Sequence, residues 1–204
     1  CGGRENPRFE HQRLVPGAKI LTLAQFFEFV RAYETEHPEQ KPARFNIEIK
    51  VDESFTEEGL KASVDAMVKA VRDAGVVART TVQSFKLELL PMVLAQEPAL
   101  TTSALFEPSY WKGFLMTVGL DADRDAILAR TQELGAKVVS PYHVYVTEAF
   151  VAKAHAQKLK VIPWTVNEED RMAELIEMGV DGLISDYPNR LKRVSEGLKA
   201  KKGR

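Results

Sequence analysis

The stretch FNIEIKV, residues 45–51, places two charged residues inside an otherwise apolar strand pattern. Successive side chains of a strand point to opposite faces, so Asn46, Glu48 and Lys50 share one face and the apolar residues share the other. Helical patterns on both sides of this stretch predict a parallel sheet that is covered rather than bathed by solvent. A carboxylate and an ammonium group inside such a sheet need partners or a metal ion. We therefore interpret Glu48 and Lys50 as a functional site; the alternatives are a solvated face and a buried ion pair.

The composition is that of a globular protein that can bury a full core. The 204 residues are 45% hydrophobic and 28% charged, which favours one domain over residues 1–204. The net charge of -1 gives no electrostatic case for binding nucleic acid. No apolar run approaches the ~20 residues that a membrane span requires, so we expect no stable membrane insertion. Cys1 is the single cysteine, which excludes an internal disulfide framework.

Strand and helix patterns alternate along the chain, which is typical of an α/β protein built from βα units. Ahead of the first predicted strand, Thr22 and Gln25 predict a capping box at the start of one helix. Asn167, which precedes three acidic residues, predicts the N-cap of a later helix. Six strands are predicted, at residues 45–51, 76–82, 103–106, 137–139, 161–164 and 182–185.

This alternation is compatible with an open doubly wound sheet or with a closed barrel. No glycine-rich turn of the nucleotide-binding type follows any predicted strand. Several strands instead end in polar or aromatic residues, and in a (β/α)8 TIM barrel such ends meet on the face that carries the active site. We therefore predict a TIM (β/α)8-type barrel, present as about six βα units, with two strands missing on the N-terminal side.

Four motifs at these strand ends resemble the glycerophosphodiester phosphodiesterase family, in the order and spacing of that family. The resemblance covers essentially all of the chain, and its N-terminal segment resembles the loop before the third barrel strand of bacterial members. The motifs are NIEIK at residues 46–50, QSF at 83–85, VIPWTVN at 161–167 and GVDGLISDYP at 179–188.

The resemblance implies a phosphodiester hydrolase that converts a glycerophosphodiester into glycerol 3-phosphate and an alcohol. It implies a divalent cation, Ca²⁺ or Mg²⁺, and it matches Glu48 to a metal ligand on the third barrel strand. It matches Lys50 to the catalytic lysine that lies beside the phosphate. It also matches Phe85 and Trp164 to aromatic positions near the substrate, although either residue is equally compatible with packing in the barrel.

Other motifs of the family have no counterpart in this sequence. These are the His-Arg-Gly motif of the first strand, the Glu-x-Asp pair of the second and the His-Asp motif beyond it, which carry the acid-base chemistry. Of the four histidines, only His143 follows a predicted strand closely enough to face the site. The expectation is that Cys1 follows the second strand of a complete enzyme, and that the 204-residue chain alone is weakly stable and inactive.

Two other functions remain open at this point. One is a non-catalytic barrel that binds a phosphorylated metabolite or a partner protein, and the other is a lipid-cleaving barrel enzyme that resembles the phospholipases D of spider venom. The N-terminal segment resembles that of bacterial members that are often exported, which favours a periplasmic or secreted location over a cytoplasmic one.

Overall fold

The computed structural model describes residues 4–9, 12–107 and 124–202. Helices and strands alternate along these residues, and two short 3₁₀ turns, Val77–Arg79 and His143–Tyr145, accompany them. The strands are β1 (Phe45–Glu48), β2 (Thr80–Ser84), β3 (Thr101–Phe106), β4 (Val138–Pro141) and β5 (Lys160–Val161). The helices are α1 (Leu23–Glu36), α2 (Glu57–Asp73), α3 (Leu89–Gln96), α4 (Arg124–Glu133), α5 (Glu148–Ala156), α6 (Glu169–Glu177) and α7 (Pro188–Lys202).

The five strands form one parallel sheet in the order β1-β2-β3-β4-β5. The register places Glu48 opposite Gln83 between the first two strands, and Ser103 opposite Val138 between the third and fourth. Parallel neighbours joined by helical crossovers are the arrangement that the alternating patterns predict. The α/β class and the barrel-type architecture are confirmed. All strands end at the same edge of the sheet, which we call the carboxyl edge.

The sixth predicted strand is not a regular strand. Residues 182–185 have no ladder partner, although this part of the chain runs beside β5. Its contacts are three backbone hydrogen bonds: Asp181 N–H donates to the Val161 carbonyl, Ile184 N–H to Pro163, and Val166 N–H to Ile184, at 2.9 to 3.0 Å. Pro163 has no N–H to donate, and this interrupts the regular ladder. Residues 182–185 therefore lie where a sixth strand would pair with β5, but they do not form a regular ladder.

Two local predictions are also corrected. The strand predicted from residue 76 begins at Thr80, because Val77–Arg79 forms a 3₁₀ turn and the Thr80 hydroxyl donates to the Val76 carbonyl at 2.8 Å. Asn167 does not cap α6, whose N-cap is Glu168 without a side-chain hydrogen bond. The predicted capping box at the start of α1 is present, with Thr22 and Gln25 bonded to each other's backbone.

The face of the sheet that packs against the helices is apolar. One buried cluster joins α1, α2 and α3 to the first two strands, and a second joins α4, α5 and α6 to the last two. The opposite face, which we call the inner face, carries polar side chains and borders a cavity of about 480 Å³. Its polar residues include Asn46, Thr81, Gln83, Ser103 and Ser140. The apolar face therefore stabilises the sheet, while the inner face is chemically suited to a polar ligand.

Within the described ranges, no helix is both long enough and apolar enough to cross a membrane.

Leu175 tests the packing of the second cluster. Its side chain is completely buried in α6, so Leu175→Ala leaves a cavity, and we expect it to lower the free energy of unfolding by about 2–5 kcal/mol. Urea unfolding followed by circular dichroism measures this loss. The matched control is Leu21→Ala, because Leu21 is 49% exposed and its change should lie within about 0.5 kcal/mol. Equal losses for the two variants would contradict the packing described here.

Candidate functional site

Glu48 and Lys50 lie together at the carboxyl edge. Glu48 is the last residue of β1, and 22% of its side chain is exposed. The Lys50 side chain is 80% exposed, and its Nζ lies 3.9 Å from Glu48 Oε2. The expectation that both charges are held inside a covered sheet is therefore wrong for Lys50, and the pair is not a buried ion pair. The physical reason is that β1 is an edge strand that ends at Glu48, so the backbone at Lys50 has already left the ladder.

Ser84, the last residue of β2, fixes the backbone between these two charges. Ile49 N–H donates to the Gln83 carbonyl at 3.0 Å, and the Ser84 hydroxyl donates to the Ile49 carbonyl at 2.8 Å. Ser84 is buried, and its Oγ also accepts a hydrogen bond from Lys86 N–H at 3.1 Å. A buried hydroxyl with both roles satisfied is stabilising rather than costly. The hydroxyl therefore orients the peptide from which Glu48 and Lys50 project.

Gln83 lies beside Glu48 on the inner face. It is 7% exposed, and its Oε1 accepts a hydrogen bond from Asn46 Nδ2 at 2.9 Å. The Glu48 carboxylate has no hydrogen-bond donor among the described residues apart from its ion pair with Lys50. Its oxygens are thus available to a ligand at this edge of the sheet.

Three aromatic rings form the other part of the carboxyl edge. The Phe85 and Trp164 rings are 5.1 Å apart and nearly perpendicular, and Tyr142 lies 5.5 Å from Trp164. Trp164 is held in place because its indole N–H donates to the Ser140 carbonyl at 2.8 Å. These edge-to-face pairs give the edge a rigid apolar wall. Phe85, which is 40% exposed, leaves part of that wall open to solvent.

The contact between Phe85 and Trp164 spans much of the width of the sheet. Phe85 follows β2 and Trp164 follows β5, so two strands separate them. In a flat sheet those two strands would be about 14 Å apart, at roughly 4.8 Å per strand. The two long side chains reach toward each other across this separation, and their ring centroids lie 5.1 Å apart. The two predicted aromatic residues therefore lie together.

His143 follows β4 and contacts the same wall, with its ring 4.6 Å from that of Tyr142. Its Nδ1 is buried and has no hydrogen-bond partner among the described residues. Burial lowers the pKa of His143, and the nearby Arg171 guanidinium lowers that pKa further. Arg171 also donates to the His143 and Val146 carbonyls, at 2.7 and 3.1 Å. Both effects favour the neutral form of the His143 imidazole. His11 lies outside the described residues.

The titration of His143 tests this arrangement. Because the folded pKa is lower than the unfolded one, the unfolded chain binds more protons between the two values, and stability falls as the pH falls through this interval. We expect the NMR titration midpoint of the His143 ring to lie below the ordinary value of about 6.5. Arg171→Gln should raise this midpoint without restoring the ordinary value, because burial remains. Arg171→Lys, which keeps the charge, is the control, and a wild-type midpoint at or above the ordinary value would refute the assignment.

The described residues supply one part of a metal site. Glu48 offers the oxygen donor that Ca²⁺ and Mg²⁺ prefer. No group of three or more His, Cys, Asp or Glu side chains that could hold a metal ion occurs within residues 4–9, 12–107 and 124–202. Glu48 thus fits as a single ligand, and the described residues do not complete a coordination sphere.

Sequence reasoning missed several residues that shape this edge. Ser84 is part of the QSF motif, yet its role depends on a hydrogen bond to the carbonyl of Ile49, the residue that directly follows β1. Ser140 and Tyr142 are among the polar and aromatic residues that follow the strand predicted at residues 137–139, and the sequence gives them no further role. The signal that could have found them is the alternation of their strand, which puts Ser140 on the inner face.

The sequence profile of the glycerophosphoryl diester phosphodiesterase family matches residues 2–190. The chain therefore belongs to this family, and the resemblance found in the motifs is confirmed.

Individual relatives agree with the family assignment. The glycerophosphodiester phosphodiesterase of Caldanaerobacter subterraneus subsp. tengcongensis is 24% identical over 175 residues, which are 86% of this chain and 61% of that protein. The enzyme of the same name from Bacillus altitudinis is 35% identical over 54 residues, or 26% of this chain and 22% of that enzyme. The chain spans less than two thirds of the length of these relatives.

Solved structures agree on the fold. A crystal structure of a glycerophosphoryl diester phosphodiesterase-type protein from Silicibacter pomeroyi DSS-3 superposes with a TM-score of 0.79 at 26% identity, covering 94% of this chain and 61% of that one. A phosphodiesterase from Oleispira antarctica, solved in complex with the product sn-glycerol-3-phosphate, superposes with a TM-score of 0.63 at 19% identity. That match covers 86% of this chain and 61% of the other.

Proposed function

We propose that the protein containing this chain hydrolyses glycerophosphodiesters to sn-glycerol 3-phosphate and an alcohol. The observation that carries the proposal is that the Glu48–Lys50 pair and the Phe85–Trp164 pair both lie at the carboxyl edge of the sheet, in a chain that belongs to this enzyme family over residues 2–190. The Oleispira antarctica structure with its bound product supports the idea that this fold can hold sn-glycerol 3-phosphate.

Glu48 is proposed as one ligand of a divalent cation, Ca²⁺ or Mg²⁺. Its carboxylate is mostly shielded from solvent and has Lys50 as its one ion-pair partner among the described residues. When bound, such a cation supplies Lewis-acid stabilisation of charge on phosphate oxygens. The described residues contribute a single carboxylate, so the full ligand set is larger than the one seen here.

Lys50 is proposed to bind the phosphate. Its ammonium group is exposed and lies next to Glu48, at a distance of 3.9 Å that allows it to turn toward an anion. A fixed positive charge at this place favours the negative charge that develops on phosphoryl oxygens during hydrolysis. Phe85 and Trp164 would supply the apolar wall against which the carbon skeleton of the diester packs.

Glu48→Gln tests the metal ligand. The amide keeps the shape of the side chain but removes its charge, so we expect hydrolysis of glycerophosphocholine to fall roughly 100-fold or more. The assay measures released sn-glycerol 3-phosphate for the protein as its gene encodes it, with added Ca²⁺ or Mg²⁺ and with chelator. The matched control is Glu53→Gln, an exposed carboxylate in the loop after β1, whose loss should leave the rate unchanged. Equal rates for the wild type and Glu48→Gln would disprove the role of this carboxylate.

Lys50→Gln tests the phosphate partner. Removing the positive charge should lower kcat/KM by a factor on the order of 100. Lys61→Gln removes the same charge from an exposed position on α2 and should leave kcat/KM unchanged. A loss of similar size in both variants would indicate a general effect of net charge rather than a phosphate contact.

The same assay separates the enzyme from a non-catalytic barrel. Hydrolysis that needs a divalent cation favours the enzyme, whereas binding of a phosphorylated metabolite without turnover favours the alternative.

A further inference from the structure

A second cavity, of about 290 Å³, lies between the N-terminal segment and the start of α7. Its walls are mainly apolar and aromatic: Phe9 and Tyr187 face each other with ring centroids 5.7 Å apart. The Arg190 guanidinium lies 4.0 Å from the centroid of the Tyr187 ring, and this cation–π contact helps to fix the position of the guanidinium. The cavity is large enough for a small polar group with a few carbon atoms.

The described residues that line this cavity carry an excess of positive charge. Arg8 and Arg190 both border it, and neither guanidinium is ion-paired within the described residues. Arg190 donates one hydrogen bond, to the Asn167 carbonyl at 3.3 Å. Asp186 is the one carboxylate among the described residues that line it, and its Oδ2 already accepts a hydrogen bond from Asn167 Nδ2 at 2.9 Å. Two guanidinium groups against one engaged carboxylate favour an anion.

The cavity belongs to the same edge of the sheet as the candidate site. Asp186 and Tyr187 directly follow the extended segment 182–185 that runs beside β5. Asn167 joins the two regions, because it follows Trp164 by three residues and its Oδ1 accepts hydrogen bonds from Asp186 N–H at 3.0 Å and the Ser185 hydroxyl at 3.3 Å. Asn167 thus links the residues that line the cavity to the segment that carries Trp164 of the aromatic wall.

We propose that this cavity is a specificity pocket for the alcohol part of the substrate, and that it selects alcohols that carry a carboxylate or phosphate group. The inference rests on the proposed hydrolysis of glycerophosphodiesters and adds the class of alcohol to it. Arg8 and Arg190 bind the anionic group, and Phe9 and Tyr187 pack against its carbon atoms. A purely cationic alcohol such as choline or ethanolamine gains nothing from these guanidinium groups and is disfavoured by their charge.

Two diesters that differ by one carboxylate test the pocket. Glycerophosphoserine and glycerophosphoethanolamine share the glycerol, the phosphodiester and the ammonium group, and only the serine compound has a carboxylate. We expect the chain to bind glycerophosphoserine roughly fivefold more tightly, as measured by ligand-observed NMR titration at low ionic strength. The difference should shrink at high salt, because the pocket is open to solvent.

Variants of the two arginines test whether the preference for glycerophosphoserine arises in this cavity. Arg8→Gln and Arg190→Gln should each lower it to about twofold or less, whereas Arg190→Lys should retain most of it. The matched controls are Arg13→Gln on the N-terminal segment and Arg193→Gln on α7. Arg13 is exposed, and Arg193 is ion-paired with Glu169 at 2.7 Å. These controls remove the same charge and should keep the preference. If Arg190→Gln fails to fold, Arg8→Gln decides the matter, since Arg8 is exposed in the N-terminal segment.

The outcomes separate this proposal from the proposed function. Equal affinity for the two diesters, or no binding of either, overturns the pocket whether or not the protein is an enzyme. An equal loss of affinity for both diesters in Arg8→Gln also overturns it, because the cavity would then bind the phosphodiester that both share. Preferential binding without any hydrolysis by the protein as its gene encodes it would leave the pocket standing and disprove the function.

Discussion

The parallel hydrogen-bond ladder from β1 to β5 is the constraint on which the positions of the functional side chains depend. Parallel strands all end at one edge, so residues as distant in sequence as Glu48 and Trp164 arrive at the same side of the molecule. Long side chains at this edge then reach one another across intervening strands, as the contact between Phe85 and Trp164 shows. The tie from Ser84 to the Ile49 carbonyl fixes the end of the edge strand, where a ladder with a single neighbour is weakest.

One face of the sheet stabilises the fold, and the other carries the polar groups that can bind a ligand. Helices cover one face with two apolar clusters that contain most of the fully buried side chains. The inner face carries amide and hydroxyl groups that are paired with each other, as in the Asn46–Gln83 and Ser103–Ser140 hydrogen bonds. Such pairs satisfy polar groups near a cavity without filling it. A site can therefore exist on this face without loss of the packing on the other.

The sequence predictions succeeded for features that depend on near neighbours along the chain and failed for features that depend on distant residues. Alternating patterns report local periodicity, so the α/β class and a strand that begins at Phe45 could be predicted directly, whereas its end at Glu48 could not. The spacing of the motifs gave the family, which the match over residues 2–190 confirmed. The predictions failed where a partner distant in sequence determines the position of a side chain. Asn167 is a residue type that favours the N-cap position, but its side chain forms hydrogen bonds with Asp186 and Ser185 instead. Lys50 was expected inside the sheet, yet the strand ends two residues earlier.

The sequence by itself determined which residues alternate, which helices are amphipathic and which motifs occur in the order of the family, because these properties depend on near neighbours along the chain. Tertiary structure alone decided that Ser84 clamps the peptide between Glu48 and Lys50, that three rings form one wall, and that Arg8 meets Arg190 around a cavity. Each of these contacts joins residues from different strands or from opposite ends of the chain. Their distances depend on the register and curvature of the sheet, which no local pattern specifies.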